Sequence, residues 1–219
     1  MNNQFVNRKR ELELLEALYS QEQAQLAVVY GRRRLGKTTL LRQFTTGKPT
    51  VYFMADRGTP QGQRRALARA FAVALDEPTL ESATFSDWHS LFEAFDRLRP
   101  QASRFVLILD EYQYLCQTDS AFSSYIQKHW DEHWSQQNLM LILCGSVTSM
   151  MHRETMAESS PLYGRADGIL HITPIPYQHI PEFMTSPIPM QAEVVERYAL
   201  CGGGPRYLEL TPTYSSHIH

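Results

Sequence analysis

The sequence predicts an α/β fold with a mostly parallel, five-stranded sheet and helices on both faces. Short apolar runs rich in Val, Ile, Leu and aromatic residues are bounded by chain-breaking residues, as is typical of buried strands. Helical patterning fills most of the stretches between them, and this alternation favours parallel strands joined by crossover helices. A length of 219 residues suits one such domain with a sizeable core. The predicted strands are residues 26–30, 50–54, 104–109, 139–144 and 169–172.

Helices are predicted at residues 8–19, 37–45, 61–75, 87–98, 120–134 and 192–200. Five prolines between Pro174 and Pro189 follow the last strand, which predicts an irregular connection. We therefore expect a core domain over residues 1–172. Residues 173–219 are expected to form the proline-rich connection and a short C-terminal helical piece. Only fourteen residues follow Pro205, which are too few for another core.

The composition indicates a soluble protein without a dominant charge. The net charge is -2 and the pI is about 6.4, which argues against strong non-specific binding to nucleic acid. No apolar run approaches the ~20 residues that span a membrane, and the N-terminal residues show no signal peptide, so no membrane role and a cytoplasmic location are expected. The three cysteines are widely spaced, which fits reduced thiols.

A phosphate-binding loop, or P-loop, is predicted at residues 31–38. The segment GRRRLGKT matches G-x-x-x-x-G-K-[ST] in full, between a predicted strand and a predicted helix. In such a loop the backbone N–H groups cradle the phosphates of ATP, a lysine bridges the β- and γ-phosphates, and a hydroxyl binds Mg²⁺. Lys37 and Thr38 are the candidates for the last two roles. The candidate nucleotide contacts are Gly31, Arg34, Leu35, Gly36, Lys37, Thr38 and Thr39.

The arginines of the loop leave two interpretations open. Arg32, Arg33 and Arg34 are charges at a loop tip, which usually face water. A role toward phosphate or a partner is the alternative.

A second candidate site lies where the third predicted strand ends. Asp110 and Glu111 follow a buried apolar run, at the sheet edge where open α/β sheets bind ligands. We expect Asp110 to reach the Mg²⁺ and Glu111 to polarise an attacking water as the general base. An acidic strand-to-loop boundary is the alternative interpretation.

The strand order gives a further expectation. A predicted strand lies between the P-loop strand and the Asp110 strand along the chain, as in the additional-strand class of P-loop NTPases, where a later strand inserts between those two. The strand 139–144 would be the inserted one. Ser146 would then lie beside the γ-phosphate and sense it, or it caps the next helix.

Together these segments resemble the archaeal-type ATPases of the STAND/AAA+ P-loop group. The resemblance runs from about Phe5 to Leu210 and rests on the segments FVNRKREL (5–12), VVYGRRRLGKTTL (28–40), DEYQYL (110–115), CGSVTSMM (144–151), PLYGR (161–165) and GGP (203–205). It implies that Asn7 and Arg8 lie near the adenine and that Pro205 contacts the base from a helical lid. It also implies that Arg165 stabilises γ-phosphate charge, in its own chain or a neighbour's, with a structural salt bridge as the alternative.

The resemblance implies Mg²⁺-dependent hydrolysis of ATP to ADP and phosphate that drives a conformational switch. Relatives of this family continue into a winged helix and often a further domain, whereas this sequence ends after a partial lid. A shortened ATP-binding interaction module with little turnover is therefore an alternative, as is a P-loop kinase. A protein partner or self-association is possible, and net charge gives no support to a nucleic acid partner.

One competing motif points to different chemistry. The segment from His129 to His133 matches H-x-x-E-H, an inverted zinc-protease signature with Glu132 between the histidines. Zinc requires a third protein ligand and an open cleft, and this segment already serves as the crossover from the Asp110 strand. A polar helix face is the favoured interpretation, and no zinc site is expected.

Overall fold

The structure is a computed structural model that describes residues 8–101, 103–183 and 191–210. Its strands are β1 (Gln25–Tyr30), β2 (Thr50–Met54), β3 (Phe105–Asp110), β4 (Leu139–Gly145) and β5 (Gly168–His171). All five strand predictions are confirmed, with bounds that differ by at most one residue. The apolar runs are continuous because both faces of a parallel sheet are covered.

The five strands form one parallel sheet with the order β2-β3-β4-β1-β5. β4 lies between β1 and β3, so the predicted insertion of the additional strand is confirmed. Because the strands are parallel, the ends of β1, β3 and β4 meet at one edge, which we call the carboxyl edge. The P-loop, Asp110 and Ser146 all lie there.

Helices cover both faces of the sheet. They are α1 (Lys9–Tyr19), α2 (Lys37–Phe44), α3 (Pro60–Leu75), α4 (Thr79–Ser82), α5 (Trp88–Leu98), α6 (Tyr112–Thr118), α7 (Phe122–Glu132), α8 (Thr148–Met151), α9 (Gln191–Cys201) and α10 (Pro205–Leu210). The single helix expected at 120–134 is wrong in its limits, since α7 stops at Glu132 and a 3₁₀ turn, Trp134–Gln136, follows. α6 precedes it as a separate helix, because the chain becomes extended at Asp119.

Two apolar cores fill the space between the sheet and its helices. Alternate residues of the central strands point to opposite faces, so Leu107 of β3 belongs to one core and Ile108 to the other. The larger core packs against α3, α5, α6 and α7, and the smaller one against α1 and α2.

A third, smaller cluster holds the C-terminal piece together. Ile175, Ile180, Val194, Cys201 and Leu208 are buried in it. Gly203 has a φ of 69°, and a Cβ at this position would lie 2.4 Å from the carbonyl oxygen of Ile175, so only glycine fits the turn. The division of the chain at residue 172 stays a prediction. Within the described ranges, no helix has the length and apolar character needed to cross a membrane.

Candidate functional site

The P-loop adopts a conformation that depends on both of its glycines. A Cβ on Gly31 would lie 2.2 Å from the carbonyl oxygen of Ile172, so the close approach of the chain after β5 requires glycine. Gly36 has a φ of 86° and is the N-cap of α2. The loop therefore leads directly into the N-terminus of α2, where unpaired backbone N–H groups and the helix dipole favour the binding of an anion. Thr39 is half-buried in the first turn of α2.

Lys37 is buried and folded back on the loop. Its ammonium group donates to the carbonyl oxygens of Gly31 at 2.7 Å and Arg32 at 3.1 Å. Burial lowers the pKa of Lys37, and the nearby Glu111 and Asp110 carboxylates oppose this shift. A phosphate group at this position would supply the negative charge that the buried ammonium lacks.

Thr38 and Asp110 form an oxygen-rich pair at the carboxyl edge. The Thr38 hydroxyl lies 3.3 Å from Oδ2 of the buried Asp110. The backbone N–H of Glu111 donates to Oδ1 of Asp110 at 2.8 Å, which fixes the carboxylate. One hydroxyl and one carboxylate are hard oxygen ligands of the kind that Mg²⁺ takes from P-loop proteins, with water and phosphate completing its shell. The residues present therefore fit a magnesium ion.

Tyr52 also contacts Asp110, and the sequence predicted only a strand at its position. Its hydroxyl donates a short hydrogen bond to Oδ2 of Asp110 from the neighbouring strand β2. Burial raises the pKa of Tyr52, and the charge of Asp110 raises it further. A hydroxyl-bearing residue in a strand beside the Asp110 strand was the available signal.

Glu111 stands at the centre of a cluster with Ser146 and Gln113. Ser146 donates a 2.7 Å hydrogen bond to Oε2 of Glu111, and the Gln113 amide donates to the same oxygen. Glu111 has a φ of 53°, in the left-handed region that non-glycine residues seldom adopt. Ser146 does not cap α8, whose N-cap is Val147 without a side-chain hydrogen bond. Its hydroxyl faces the carboxylate instead.

Gln113 was missed in the sequence. It is fully buried, and its amide Nε2 also lies 3.4 Å from the Ser146 hydroxyl. A Cβ on Gly145 would lie 2.5 Å from Oε1 of Gln113, so the small residue at the end of β4 makes room for it. An amide side chain two residues after Glu111 was the available sequence signal.

Arg8, which the resemblance puts near the adenine, contacts the P-loop from the start of α1, and its contact with an adenine stays a prediction. Arg8 is buried and donates to the carbonyl oxygens of Leu35 at 3.1 Å and Thr173 at 2.6 Å, and it pairs with Glu11. Asn7 lies outside the described residues. Arg8 thus connects the start of α1 to the P-loop and to the segment after β5.

Pro205 and the following helix turn lie against the loop. The Pro205 ring is 3.7 Å from the position that a Cβ on Gly36 would take. Arg34 donates to the Tyr207 hydroxyl at 2.7 Å, and its guanidinium lies 4.9 Å from the centre of the Tyr207 ring. The C-terminal helical piece therefore contacts the P-loop, while contact between Pro205 and a base stays a prediction.

Arg165 is not brought to the P-loop of its own chain. Its guanidinium forms a bidentate pair with Asp131 of α7 at 2.7 and 2.8 Å, and this hydrogen bonding raises the pKa of Arg165. The nearby Asp167 accepts a hydrogen bond from the backbone N–H of Leu26, at the beginning of β1, whereas the P-loop follows the end of β1. Those positions are roughly 13 Å apart along the strand, at about 3.3 Å per residue. The salt-bridge interpretation holds within this chain.

The first histidine of the H-x-x-E-H motif lies in the core beside a carboxylate. His129 is buried and hydrogen-bonds through Nε2 to Asp96 at 2.7 Å, next to Trp134, which donates to the same carboxylate. In the described ranges no group of three or more His, Cys, Asp or Glu side chains could hold a metal ion. His129 is thus a core histidine held by a carboxylate, and the interpretation as a polar helix face is wrong for this residue.

Fold and site together define a P-loop NTPase of the additional-strand class. The model of the family described as "ATPase domain predominantly from Archaea" matches residues 5–211. The chain belongs to this family, as the sequence motifs predicted. Membership supports ATP binding and ATPase activity at the level of the family.

Two curated relatives come from Methanocaldococcus jannaschii. The uncharacterized protein MJECL04 is 33% identical over 205 residues, which cover 94% of this chain and 43% of that protein. The uncharacterized ATP-binding protein MJ0423 is 52% identical over 44 residues, which cover 20% of this chain and 75% of that protein. This chain therefore spans less than half the length of the first relative.

Solved structures share the fold at low sequence identity. The Walker-type ATPase PABY2304 of Pyrococcus abyssi superposes with a TM-score of 0.70 at 21% identity, covering 94% of this chain and 66% of that one. The ORC1 protein of Aeropyrum pernix, solved in complex with DNA, gives 0.64 at 16% identity, covering 94% and 58%. Both likenesses support the fold alone.

Proposed function

We propose that this chain binds ATP with Mg²⁺ and hydrolyses it to ADP and phosphate. The bound nucleotide switches the contact between the C-terminal helical piece, which includes Pro205 and Tyr207, and the P-loop. The observation that carries this proposal is the meeting of Thr38, Asp110 and Glu111 at the carboxyl edge beside the P-loop. The ATP-binding name of the relative MJ0423 supports the nucleotide.

Each residue has a definite task in this proposal. Lys37 exchanges its hydrogen bonds to the Gly31 and Arg32 carbonyls for the β- and γ-phosphate oxygens. Thr38 and Asp110 would hold Mg²⁺, which neutralises charge on the β- and γ-phosphates when bound. Tyr52 keeps Oδ2 of Asp110 oriented toward that position.

Glu111 orients the attacking water and accepts its proton. Ser146 and Gln113 both donate to Oε2, which leaves Oε1 of Glu111 without these donors and able to accept from water. The bond between the γ-phosphorus and the oxygen that bridges it to the β-phosphate breaks as the water oxygen bonds to the γ-phosphorus. ADP leaves with the bonding electrons.

Calorimetry with Mg-ATP tests the binding site directly. Wild type should bind, and Lys37→Ala should lose measurable binding because the loop then has no ammonium group for the β- and γ-phosphates. Lys48→Ala is a matched control, since Lys48 pairs with Glu16 away from the loop. Equal binding by wild type and Lys37→Ala would contradict the proposal.

An ATP-binding module with little turnover is a second candidate. It is favoured by the double hydrogen bonding at Oε2 of Glu111, which holds the carboxylate in one orientation. Binding by wild type with no phosphate release above that of Glu111→Gln would support this candidate instead.

We further propose that any γ-phosphate role of Arg165 is exercised on a second copy of the chain. Its distance from its own P-loop and its exposed pair with Asp131 support this choice. Mixing Arg165→Ala with Lys37→Ala tests it, because only a shared site regains activity on mixing. A protein partner other than a second copy is compatible with the proposal, and a net charge of -2 gives no support to nucleic acid.

A further inference from the structure

Arg33 is the loop arginine that turns toward the carboxyl edge. Its Nε lies 3.4 Å from the Ser146 hydroxyl, and its Nη2 donates a short hydrogen bond to the Tyr114 hydroxyl of α6. Arg34, the next residue, turns the other way to Tyr207. Of these two P-loop guanidinium groups, that of Arg34 thus contacts the C-terminal helical piece and that of Arg33 contacts the cluster around Glu111.

The charge of Arg33 lacks a counter-ion in the described part of the chain. Its hydrogen-bond partners are two neutral hydroxyls, whereas Arg8 pairs with Glu11 and Arg165 with Asp131. Within the described residues the Lys37 ammonium likewise forms no ion pair and donates to loop carbonyls, so two cations of the P-loop can act on one anion.

The neighbours of Arg33 identify which part of the nucleotide that anion is. Mg²⁺ bridges the β- and γ-phosphates in P-loop proteins, so its candidate ligands Thr38 and Asp110 mark the γ-phosphate end of the site. Ser146 lies next to them, since it bonds to Glu111 at 2.7 Å. An arginine that contacts Ser146 is therefore at the γ-phosphate end of the site.

We propose that Arg33 is a catalytic residue that binds the γ-phosphate of ATP in its own chain and stabilises the charge that develops there during hydrolysis. The proposal rests on the proposed function. In hydrolysis Arg33 transfers no proton; its guanidinium N–H groups move from the Ser146 and Tyr114 hydroxyls to γ-phosphate oxygens. The site then carries an arginine of its own chain, in addition to any that Arg165 supplies to a second copy.

The test compares Arg33→Ala with Arg32→Ala, each in a Glu111→Gln background that prevents turnover. Arg32 is an exposed arginine of the same loop, and its side chain makes no hydrogen bond or ion pair with any described residue. ATP and ADP are titrated with Mg²⁺ by calorimetry, and the ratio of their dissociation constants measures the contact with the γ-phosphate. Arg33→Ala should reduce the preference for ATP by about tenfold, since one charge-assisted hydrogen bond is lost. Its affinity for ADP should stay within about twofold.

Phosphate release gives the second readout, and it is measured in variants that retain the native Glu111. Arg33→Ala should lower kcat by about 100-fold, and Arg33→Lys should recover part of this loss because the charge remains without its fork. Arg32→Ala should match the parent. A preference of Arg33→Ala for ATP equal to that of Arg32→Ala would overturn the proposal for Arg33 alone. Absence of ATP binding in the parent chain would overturn the proposed function as well, and it would be seen in all variants at once.

Discussion

Ser146, at the tip of β4, donates a 2.7 Å hydrogen bond to Oε2 of Glu111 at the tip of β3. This bond depends on the insertion of β4 between β1 and β3, which puts the two tips side by side and both next to the P-loop. The strand order thus has a chemical consequence, because it fixes the orientation of the carboxylate that we propose as the general base.

Replacing Ser146 by Ala should reduce turnover while leaving nucleotide affinity unchanged. The variant loses one donor to Glu111 and keeps Gln113, so we expect kcat to fall by about tenfold, the equivalent of ~1.4 kcal/mol. Phosphate release at saturating Mg-ATP measures it. Ser149→Ala, at an exposed position of α8, is the control. A normal kcat in Ser146→Ala would show that Glu111 does not need this bond.

Replacing Tyr52 by Phe should weaken the response to Mg²⁺. The ring still fills its place beside β3, but Asp110 loses the hydroxyl that donates to Oδ2. We expect the Mg²⁺ concentration for half-maximal ATP binding to rise by about three- to tenfold, as expected for the loss of a hydrogen bond that orients a metal ligand. A Mg²⁺ titration at fixed ATP measures this shift.

Tyr19→Phe is the matched control, since the Tyr19 hydroxyl donates to the Arg104 carbonyl far from Asp110. Because the pKa of Tyr52 is raised, its hydroxyl stays protonated throughout the neutral and mildly alkaline range. The difference between wild type and Tyr52→Phe should therefore be the same at pH 7 and pH 9. A difference that vanishes by pH 9 would contradict the assignment of Tyr52 as a donor.

Replacing Gly31 by Ala should destabilise the fold itself. The added Cβ would overlap the Ile172 carbonyl at 2.2 Å, so the P-loop or the end of β5 must move. We expect a loss of about 2–4 kcal/mol in the free energy of unfolding, measured by chemical denaturation. Gly47→Ala is the comparison, because Gly47 has a φ of 76° but nothing within 4 Å, so it carries only the conformational cost of roughly 1–2 kcal/mol. Equal losses would refute the steric argument.

Replacing Lys37 by Met should stabilise the nucleotide-free chain although it abolishes ATP binding. Burial lowers the pKa of Lys37 below its ordinary 10.5, which means that the folded state disfavours the charged form. The cost to wild type is fully present below the folded-state pKa and is relieved as the pH rises from that value toward 10.5.

The melting temperature of Lys37→Met should therefore exceed that of wild type by a few degrees near pH 7, and the gap should narrow as the pH approaches 10. Thermal unfolding without nucleotide over this pH range measures both. A variant that melts below wild type at every pH would mean that the hydrogen bonds of Lys37 to the loop carbonyls outweigh the cost of burying its charge.

The strands and the P-loop were predictable because their signals are local. A continuous apolar run such as residues 105–109 predicts a strand covered on both faces, and the glycines of the loop have fixed spacing around Lys37. The short helix α6 was missed in the sequence, and only residues 119–121 separate it from α7.

The residues that support the site were not predictable in this way, because they act across strands. Tyr52 meets Asp110 from 58 positions away, and Arg33 meets Ser146 from 113 positions away. Contacts of this kind follow from strand order and side-chain direction, which no local pattern contains. Arg165 differs from these residues, because the sequence motif around it is local and could be recognised. Only the strand topology shows that Arg165 lies near the beginning of β1, away from the P-loop at the end of that strand.

Phosphate release by wild type and Glu111→Gln, with Mg-ATP binding measured on both, tests the central claim most directly. The account predicts that both proteins bind Mg-ATP with similar affinity, because Glu111 does not hold the phosphates. It predicts that only wild type releases phosphate, with kcat lower by at least about 100-fold in the variant, as for a general base. Equal rates of phosphate release in the two proteins would contradict the account, because the proton of the attacking water would then be taken by another group.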